Sequence, residues 1–285
     1  MNLSYTKVAT FRQCPMKYKW KYIDGLEPIT RQTHFKLGSI VHKAFEEFYK
    51  GQSDQLCLDN IIKSFDREIS SAELSDQESL LLAKHTAIGM WKNNPFKTGY
   101  KDYKAEQDFT FRIGRLNFKY VGRVDGLFTV DGKRWVREFK TTSDSKFENK
   151  IGVSQQATGN IFAFRDSGVF GAMYDIIMKP KLYKKQTENA EQLAKRIEED
   201  YKWRPDFYFK RKFTYRSPVD MENFKKDTVA VYRSIKNMTR TGRFYRNCES
   251  CYSFNAECPY MKICFSEKPD PLTVELMFKK KEYHE

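Results

Sequence analysis

The sequence predicts an α/β protein in which a mixed β-sheet is flanked by helices. Two patterns predict this class. Apolar side chains recur at helical spacing between residues 4 and 93, and they alternate with polar side chains between residues 103 and 140, as they do along strands. The three predicted strands are followed by a predicted helix and then by another strand. This order is typical of a mixed sheet with helices on its faces.

Three helical stretches are predicted before the sheet. The first runs from Ser4 to about Tyr22, with Ser4 or Thr6 as its N-cap. The second begins near Leu37 and ends by Gly51, a residue type common just after helices. The third covers about 56–93, with a break around Ser75.

The predicted strands begin with 103–112, 117–130 and RWVREFK at 134–140, and Asp131-Gly132 forms a hairpin turn between the last two. The elements predicted after them are a helix at 155–167, a strand at 172–180, a charged helix at 186–202, a strand at 207–216 and a helix from Ser217-Pro218 to about Thr241. We expect a single domain, 1–285, with a helical part (1–100), a sheet core (101–182) and C-terminal helices followed by cysteines (183–285).

The composition is that of a globular protein with a strong positive charge. Lys and Arg number 51 against 37 Asp and Glu, which leaves a net charge of +14. Such an excess favours nucleic acid as partner, although a merely basic surface or an anionic small substrate also fits. No apolar run reaches the roughly 18 residues of a membrane span, and the first residues lack a secretory pattern, so we expect a cytoplasmic protein without membrane contact.

The predicted hairpin carries the residues best suited to catalysis. Glu138 and Lys140 project from the same face of their strand, because alternate side chains share a face. Asp125, on the neighbouring strand, is close enough to meet them. Two carboxylates at one point favour a bound Mg²⁺ or Mn²⁺, which can activate water and a phosphodiester. Lys140 would orient the attacking water or stabilise negative charge, but an exposed salt bridge is the common alternative for Glu-x-Lys.

These motifs resemble the PD-(D/E)XK nucleases. VGRVDGLF (121–128) followed by WVREFK (135–140) is similar to the G-x-x-D and E-x-K pattern of that superfamily, and LGSIVH (37–42) is similar to the G-x-x-x-H of its RecB-like branch. The resemblance implies a restriction-endonuclease-like core, with Asp125, Glu138, Lys140 and Gln156 as catalytic residues. It also implies that His42, Asp125, Glu138 and the backbone carbonyl of Phe139 bind the metal. In QATGNIFA (156–163), Asn160 departs from the family pattern, which has a tyrosine there.

The cysteines form a second group. Four of the six lie between residues 248 and 264, namely Cys248, Cys251, Cys258 and Cys264, whereas Cys14 and Cys57 stand alone. Disulfides do not persist in a reducing cytosol, so the spacing favours a bound metal, either zinc or an iron–sulfur cluster. Cys57 has apolar neighbours and is interpreted as an ordinary buried thiol.

The resemblance extends to the C-terminus, since CPYMKIC (258–264) is similar to the ending of cluster-bearing RecB-like nucleases. It implies a [4Fe-4S] cluster held by Cys14, Cys251, Cys258 and Cys264, with Cys248 in reserve as a ligand and Zn²⁺ as the alternative metal. Such a cluster would join the N-terminal and C-terminal segments.

Two stretches interleave aromatic rings with cations: KYKWKY (17–22) and FYFKRKFTYR (207–216). They are suited to single-stranded nucleic acid, or else their aromatic residues face the core.

The predicted function is hydrolysis of DNA by a metal-dependent exonuclease that acts on ends or single strands, in recombination, repair or phage DNA metabolism. Alternatives are a CRISPR-adaptation-type nuclease that trims DNA and a non-catalytic DNA-binding subunit of a helicase–nuclease complex. The chain contains no G-x-x-x-x-G-K-[ST] motif, so a helicase or recombination partner would supply any ATP-driven step.

Overall fold

A computed structural model describes residues 1–29, 33–253, 256–266 and 269–281 of the chain. Its α-helices are α1 (Tyr5–Gln13), α2 (Pro15–Tyr18), α3 (Thr33–Tyr49), α4 (Asp54–Ser70), α5 (Leu74–Lys92), α6 (Phe147–Lys150), α7 (Gln155–Ala163), α8 (Ala190–Trp203), α9 (Pro205–Tyr208), α10 (Pro218–Thr241), α11 (Met261–Cys264) and α12 (Pro271–Met277). Its strands are β1 (Asn2–Leu3), β2 (Leu26–Pro28), β3 (Lys101–Phe111), β4 (Lys119–Val130), β5 (Lys133–Thr142), β6 (Val169–Met178), β7 (Phe209–Thr214), β8 (Tyr252–Ser253), β9 (Ala256–Glu257) and β10 (Phe278–Lys280).

The chain divides into two compact units. We call Gln32–Asp108 with Arg123–Arg216 the sheet unit, and Met1–Arg31 with Phe109–Gly122 and Ser217–Glu285 the terminal unit. Strands β3 and β4 contribute residues to both. The prediction of one domain stays a prediction.

The sheet unit is built on a mixed sheet in the order β4-β5-β6-β7, with β3 also pairing with β4. Strand β5 is antiparallel to β4 and parallel to β6, and β7 is antiparallel to β6. Nearly every residue of β6 is buried, as expected for a central strand covered on both faces. Helices α3, α4, α5 and α8 pack with one another in this unit. Gly89 of α5 allows α8 to approach closely, since a Cβ at residue 89 would lie 2.6 Å from the ring of Tyr201. The predicted α/β class, a mixed sheet flanked by helices, is confirmed.

In the terminal unit, residues from the two ends of the chain pair directly. Strand β10 is antiparallel to β2, with Phe278 opposite Pro28. The hydroxyl of Tyr260 donates a 2.7 Å hydrogen bond to the carbonyl of Leu26. Leu26, Tyr260 and Phe278 are buried together with Ile263. The N-terminal and C-terminal segments are therefore joined by backbone pairing and apolar contact.

Local sequence patterns located several element ends accurately. Asp131 and Gly132 both adopt positive φ, 50° and 70°, as the predicted two-residue hairpin turn requires. Ser217 forms a capping box with Asp220 at the start of α10, which ends at Thr241 as expected.

The first predicted helix, from Ser4 to about Tyr22, is interrupted at Cys14, although helical structure continues through a π-helix at Lys19–Ile23. The α-helix ends at Gln13, Cys14 is extended with φ −161° and ψ 113°, and α2 begins at Pro15. A residue before proline is driven out of the helical region by the proline ring. Cys14 therefore lies at a helix break. In the described part of the chain, no helix is both long enough and apolar enough to span a membrane.

Candidate active site

The β4–β5 hairpin brings Asp125 and Glu138 together. The pairing of Gly126 with Arg137 leaves Asp125 opposite Glu138 at the next position of the antiparallel ladder. Asp125 also binds the neighbouring strand directly, because its Oδ2 accepts a 2.6 Å hydrogen bond from the backbone N–H of Phe139. The predicted meeting of the two carboxyl groups is therefore built into the strand register.

Glu138 is buried, with 4% of its surface exposed. Its Oε1 accepts hydrogen bonds from Nε2 of Gln156 at 2.6 Å and from Nζ of Lys140 at 3.1 Å. Its Oε2 accepts a 3.2 Å hydrogen bond from Nδ2 of Asn160. Burial raises the pKa of Glu138 to about 7, and the charge of Lys140 opposes this rise while that of Asp125 adds to it. The carboxyl group is thus held in one orientation but poorly solvated.

His42 reaches the same point from α3. Its Nδ1 lies 3.6 Å from Oδ1 of Asp125. Burial by itself would lower the pKa of His42, but the contact with the negatively charged Asp125 outweighs burial, so the pKa is raised. The ring of His42 also meets Phe139 edge-on, with ring centroids 6.4 Å apart.

All the residues predicted to be catalytic, together with His42, are therefore neighbours: Asp125, Glu138, Lys140 and Gln156. Asn160 was not predicted as a site residue. It lies one helical turn after Gln156 on α7, a spacing that could have indicated a shared face. Among the described residues, no three His, Cys, Asp or Glu side chains form a group that could hold a metal ion. Metal binding by His42, Asp125, Glu138 and the Phe139 carbonyl stays a prediction.

A buried ion pair supports β5 from its other face. Arg137 and Asp175 are both fully buried, and Nε of Arg137 donates a 2.8 Å hydrogen bond to Oδ2 of Asp175. Arg211 binds the same carboxylate through its Nε at 2.7 Å. The guanidinium of Arg137 also stacks on the rings of Phe139 and Tyr49, at 4.4 and 4.6 Å. A side chain as enclosed as that of Arg137 has no alternative position. Arg137 therefore holds β5 in place at the residue next to Glu138.

In the terminal unit, the break at Cys14 is held against residues 245–248. The Sγ of Cys14 accepts a 3.4 Å hydrogen bond from the backbone N–H of Asn247, and the side chain of Asn247 donates to the Gln13 carbonyl at 2.8 Å. The backbone N–H of Met16 donates to the carbonyl of Tyr245 at 3.1 Å. Cys14 is therefore fixed beside the segment that leads into Cys248.

The remaining cysteines converge on the same region. The backbone N–H of Cys258 donates a 2.7 Å hydrogen bond to the carbonyl of Cys251. Burial raises the pKa of Cys251, and the proximity of Cys248, Cys258 and Cys14 raises it further. Burial likewise raises the pKa of Cys264, which has Cys14 and Cys258 as neighbours. Cys14 and Cys264, which are far apart in sequence, therefore lie close together in the terminal unit.

Two other features border these thiols. The indole Nε1 of Trp20 is buried and faces the Cys264 thiol, a contact that partly offsets the rise that burial causes in the pKa of Cys264. Cys248 is exposed and, with Cys251, lines an open cleft of about 570 Å³. Cys57, far from this group in sequence, is fully buried on α4, and burial raises its pKa to about 11, in agreement with an inert thiol.

Comparison with known proteins adds a family match over nearly the whole chain. The family model described as the PD-(D/E)XK nuclease superfamily matches residues 2–265. The fold is also similar to the crystal structure of SSO0001, with 12% sequence identity, a TM-score of 0.37, and coverage of 81% of this chain and 75% of that one. A second similar structure is a "Putative exonuclease" from Eubacterium rectale, with 13% identity, a TM-score of 0.48, and coverage of 93% of each chain. No curated protein sequence matches. Because the family match spans His42, Asp125, Glu138 and Lys140, the chain belongs to the PD-(D/E)XK nuclease superfamily.

Proposed function

We propose that this protein is a metal-dependent deoxyribonuclease that acts as an exonuclease on DNA ends or single strands. The observation that carries the proposal is the environment of Glu138, a buried carboxyl group beside Asp125 that receives hydrogen bonds from Lys140, Gln156 and Asn160. A site that combines desolvation with a specific charge partner is typical of a catalytic centre. Membership of the superfamily supports phosphodiester hydrolysis as its reaction.

The types of donor atom at this point suit a hard divalent cation. Asp125 and Glu138 offer carboxylate oxygens, His42 an imidazole nitrogen, and Phe139 a backbone carbonyl. The pKa of Glu138, raised by burial, indicates a carboxylate that a nearby positive charge would stabilise. Mg²⁺ or Mn²⁺ bound there would neutralise charge on the scissile phosphate and lower the pKa of water.

The chain's own residues divide the remaining tasks. Gln156 and Asn160 each donate a hydrogen bond to one oxygen of Glu138. They would therefore fix the orientation in which the carboxylate binds the metal ion. Lys140, whose Nζ lies 3.1 Å from Glu138, is placed to stabilise the negative charge that develops on the phosphate during attack by water. The hydrogen bond from Phe139 to Asp125 keeps the second carboxylate beside the first.

DNA as substrate is supported by the net charge of +14, because cationic surfaces gain affinity by releasing counterions from phosphates. The test is digestion of end-labelled linear DNA and of circular DNA, each single-stranded and double-stranded, with Mg²⁺ or Mn²⁺ and with EDTA as control. We expect the linear molecules to be degraded in the presence of metal and the circles to be spared. Cleavage of circles would contradict the exonuclease assignment, and intact DNA under every condition would contradict nuclease activity.

A role as a non-catalytic DNA-binding subunit is the less favoured hypothesis. Such a subunit has no need of a complete site, whereas this chain has His42, Asp125, Glu138 and Lys140 all present and adjacent. A CRISPR-adaptation-type nuclease would use the same site on other substrates. Any helicase or recombination protein that acts with this enzyme lies outside these 285 residues.

The proposal includes a [4Fe-4S] cluster in the terminal unit, with Cys14, Cys251, Cys258 and Cys264 as ligands. Thiolates are the usual ligands of such clusters, and both Cys251 and Cys264 have Cys14 and Cys258 nearby. The buried Nε1 of Trp20 would find an acceptor in cluster sulfur. Cys248 is exposed at the cleft, which supports its assignment as the reserve ligand and not as one of the four cluster ligands. Zn²⁺ is the alternative metal, since four thiolates also suit a closed tetrahedral site.

A further inference from the structure

The segment that follows β6 is basic and carries one aromatic ring that points into solvent. Residues 179–185 read KPKLYKK, so four of the seven are lysines. The ring-bearing residue, Tyr183, is 85% exposed. We refer to these seven residues as the basic loop.

The basic loop begins at the end of the sheet toward which the catalytic strand runs. Parallel strands β5 and β6 finish together, with Thr142 opposite Met178. The backbone N–H of Lys179 then donates a 2.7 Å hydrogen bond to the carbonyl of Thr142. Because Glu138 is opposite Tyr174, the loop starts five residues beyond the catalytic carboxylate, roughly 17 Å away at about 3.3 Å per residue.

The backbone of the loop is anchored, although Tyr183 is exposed. Arg196 donates a 2.8 Å hydrogen bond to the carbonyl of Tyr183, and it also binds both oxygens of Glu188, at 2.8 and 2.7 Å. Glu188 in turn accepts a 2.9 Å hydrogen bond from the backbone N–H of Lys185. The backbone of the loop is therefore anchored by Glu188, just before α8, and by Arg196 within α8. The exposed ring of Tyr183 extends into solvent from this anchored backbone.

The loop also has more positive charge than its surroundings neutralise. The carboxylates around it already have cationic partners: Glu78 pairs with Lys184 at 3.0 Å and Asp144 with Lys150 at 2.6 Å. Glu188 is paired with Arg196, as described above. Within the described ranges, Lys181 and Lys185 are exposed and form no ion pair within 4 Å, and their charges lower the pKa of Asp144 and of Glu188 only alongside the closer partners Lys150 and Arg196. A polyanion would meet two available ammonium groups on either side of the aromatic ring.

We propose that the basic loop binds single-stranded DNA outside the catalytic centre, with Tyr183 stacking on a base and Lys181 and Lys185 contacting phosphates. This inference rests on the proposed function for its ligand. A ring can stack only on a base whose face is uncovered, so an unpaired strand is the fitting partner. At about 3.4 Å per stacked nucleotide, a strand reaching from Glu138 to the start of the loop spans roughly five nucleotides.

The test measures binding and cleavage separately. Binding of fluorescein-labelled single-stranded and blunt double-stranded DNA of about 12 nucleotides is followed by anisotropy in EDTA, where no cleavage occurs. We expect Tyr183→Ala to weaken binding of the single strand about tenfold, with Tyr183→Phe unchanged, because base stacking needs only the ring. Trp203→Ala is the matched control, since Trp203 is another ring that is 74% exposed. We expect it to bind as the wild type does.

The lysines are tested through the salt dependence of the same binding. Each phosphate contact on a single strand contributes about 0.7 to the slope of log affinity against log salt, so Lys181→Ala with Lys185→Ala should reduce that slope by about 1.4. In cleavage assays with metal, Tyr183→Ala should raise KM for a 12-nucleotide strand and leave KM for a trinucleotide unchanged, because the trinucleotide cannot reach the loop.

The outcomes separate this inference from the proposed function. If the wild type cleaves DNA but Tyr183→Ala binds the single strand as tightly as Tyr183→Phe, the inference is wrong and the nuclease assignment stands. If binding depends on Tyr183 but no DNA is cleaved with either metal, the loop assignment stands and the proposed activity is wrong. Equal weakening by Trp203→Ala and Tyr183→Ala would also contradict a specific stacking site.

Discussion

Nδ2 of Asn160 lies 3.2 Å from Oε2 of Glu138 and donates a hydrogen bond to it. Gln156, one helical turn earlier on α7, binds the other oxygen of the same carboxyl group. The pattern of the RecB-like branch, which this sequence resembles, has a tyrosine at position 160. In this chain Asn160 carries an amide that contacts the proposed catalytic carboxylate of Glu138, so we interpret Asn160 as a positioning residue.

We predict that Asn160→Ala lowers kcat about tenfold or more and weakens metal binding, because groups that orient metal ligands typically affect both. Metal affinity is read from the rise in melting temperature on titration with Mn²⁺, and kcat from initial rates on linear DNA. The exposed Asn237→Ala is the control and should match the wild type. A variant at Asn160 with wild-type kcat and metal affinity would show that the contact has no functional role.

Lys140 has a different predicted effect, since its proposed role is to stabilise developing negative charge and not to bind the metal. Lys140→Ala should lower single-turnover cleavage by about a hundredfold while leaving the Mn²⁺-induced stabilisation nearly intact. Lys226→Ala, an exposed lysine on α10, controls for loss of general positive charge. An unchanged single-turnover rate would make Lys140 a structural partner of Glu138 only.

Stability of the metal-free protein should depend on the charge of Glu138. Burial raises its pKa from 4.5 to about 7, so ionisation is harder in the folded state than in the unfolded one. Below pH 4.5 the group is neutral in both states and costs nothing. Between pH 4.5 and 7 the cost grows, and above pH 7 it is constant, on the order of 3 kcal/mol because each pKa unit corresponds to about 1.4 kcal/mol.

Glu138→Gln in EDTA should therefore be more stable than the wild type at pH 8 and equally stable at pH 4. Urea unfolding at both pH values measures the difference, with the exposed Glu199→Gln as control. A difference between Glu138→Gln and the wild type that does not change with pH would contradict the buried, poorly solvated carboxyl group.

Sequence reasoning succeeded where the determinants are local. Asp125, Glu138 and Lys140 lie on one hairpin, and the Asp131-Gly132 turn sets their register. The helix break at Cys14 was not predicted, although its determinant, Pro15, is the next residue. The helical spacing of the aromatic residues on both sides of Cys14 concealed the break. Here the proline rule outweighs the apolar pattern.

Contacts between distant residues could not be read from the sequence. Arg137 and Asp175 are both fully buried, and each is an ordinary charged residue until the pairing of β5 with β6 brings them together. The contact of Asn160 with Glu138 likewise requires α7 to pack over the sheet. Such contacts depend on register and packing, which no short pattern encodes.

The cysteine assignment predicts that protein purified without oxygen is brown, absorbs near 400 nm and contains about four irons per chain. Cys14→Ser should lose the iron and lower the melting temperature, because ligand binding contributes to folding free energy. Cys57→Ala should keep the iron, and Cys248→Ser should change little. A colourless anaerobic protein with one zinc would refute the cluster, and loss of iron in Cys248→Ser with retention in Cys251→Ser would refute the ligand choice.

The most direct test of the account is cleavage of end-labelled linear DNA by Asp125→Ala and Glu138→Ala at ordinary Mg²⁺ or Mn²⁺ concentration, with DNA binding measured in parallel. Loss of either carboxylate removes a metal ligand, whereas binding draws mostly on the basic surface. We therefore expect cleavage to be abolished in both variants and DNA affinity to stay within about threefold of the wild type. Full cleavage by either variant would contradict the assignment of this hairpin as the catalytic centre.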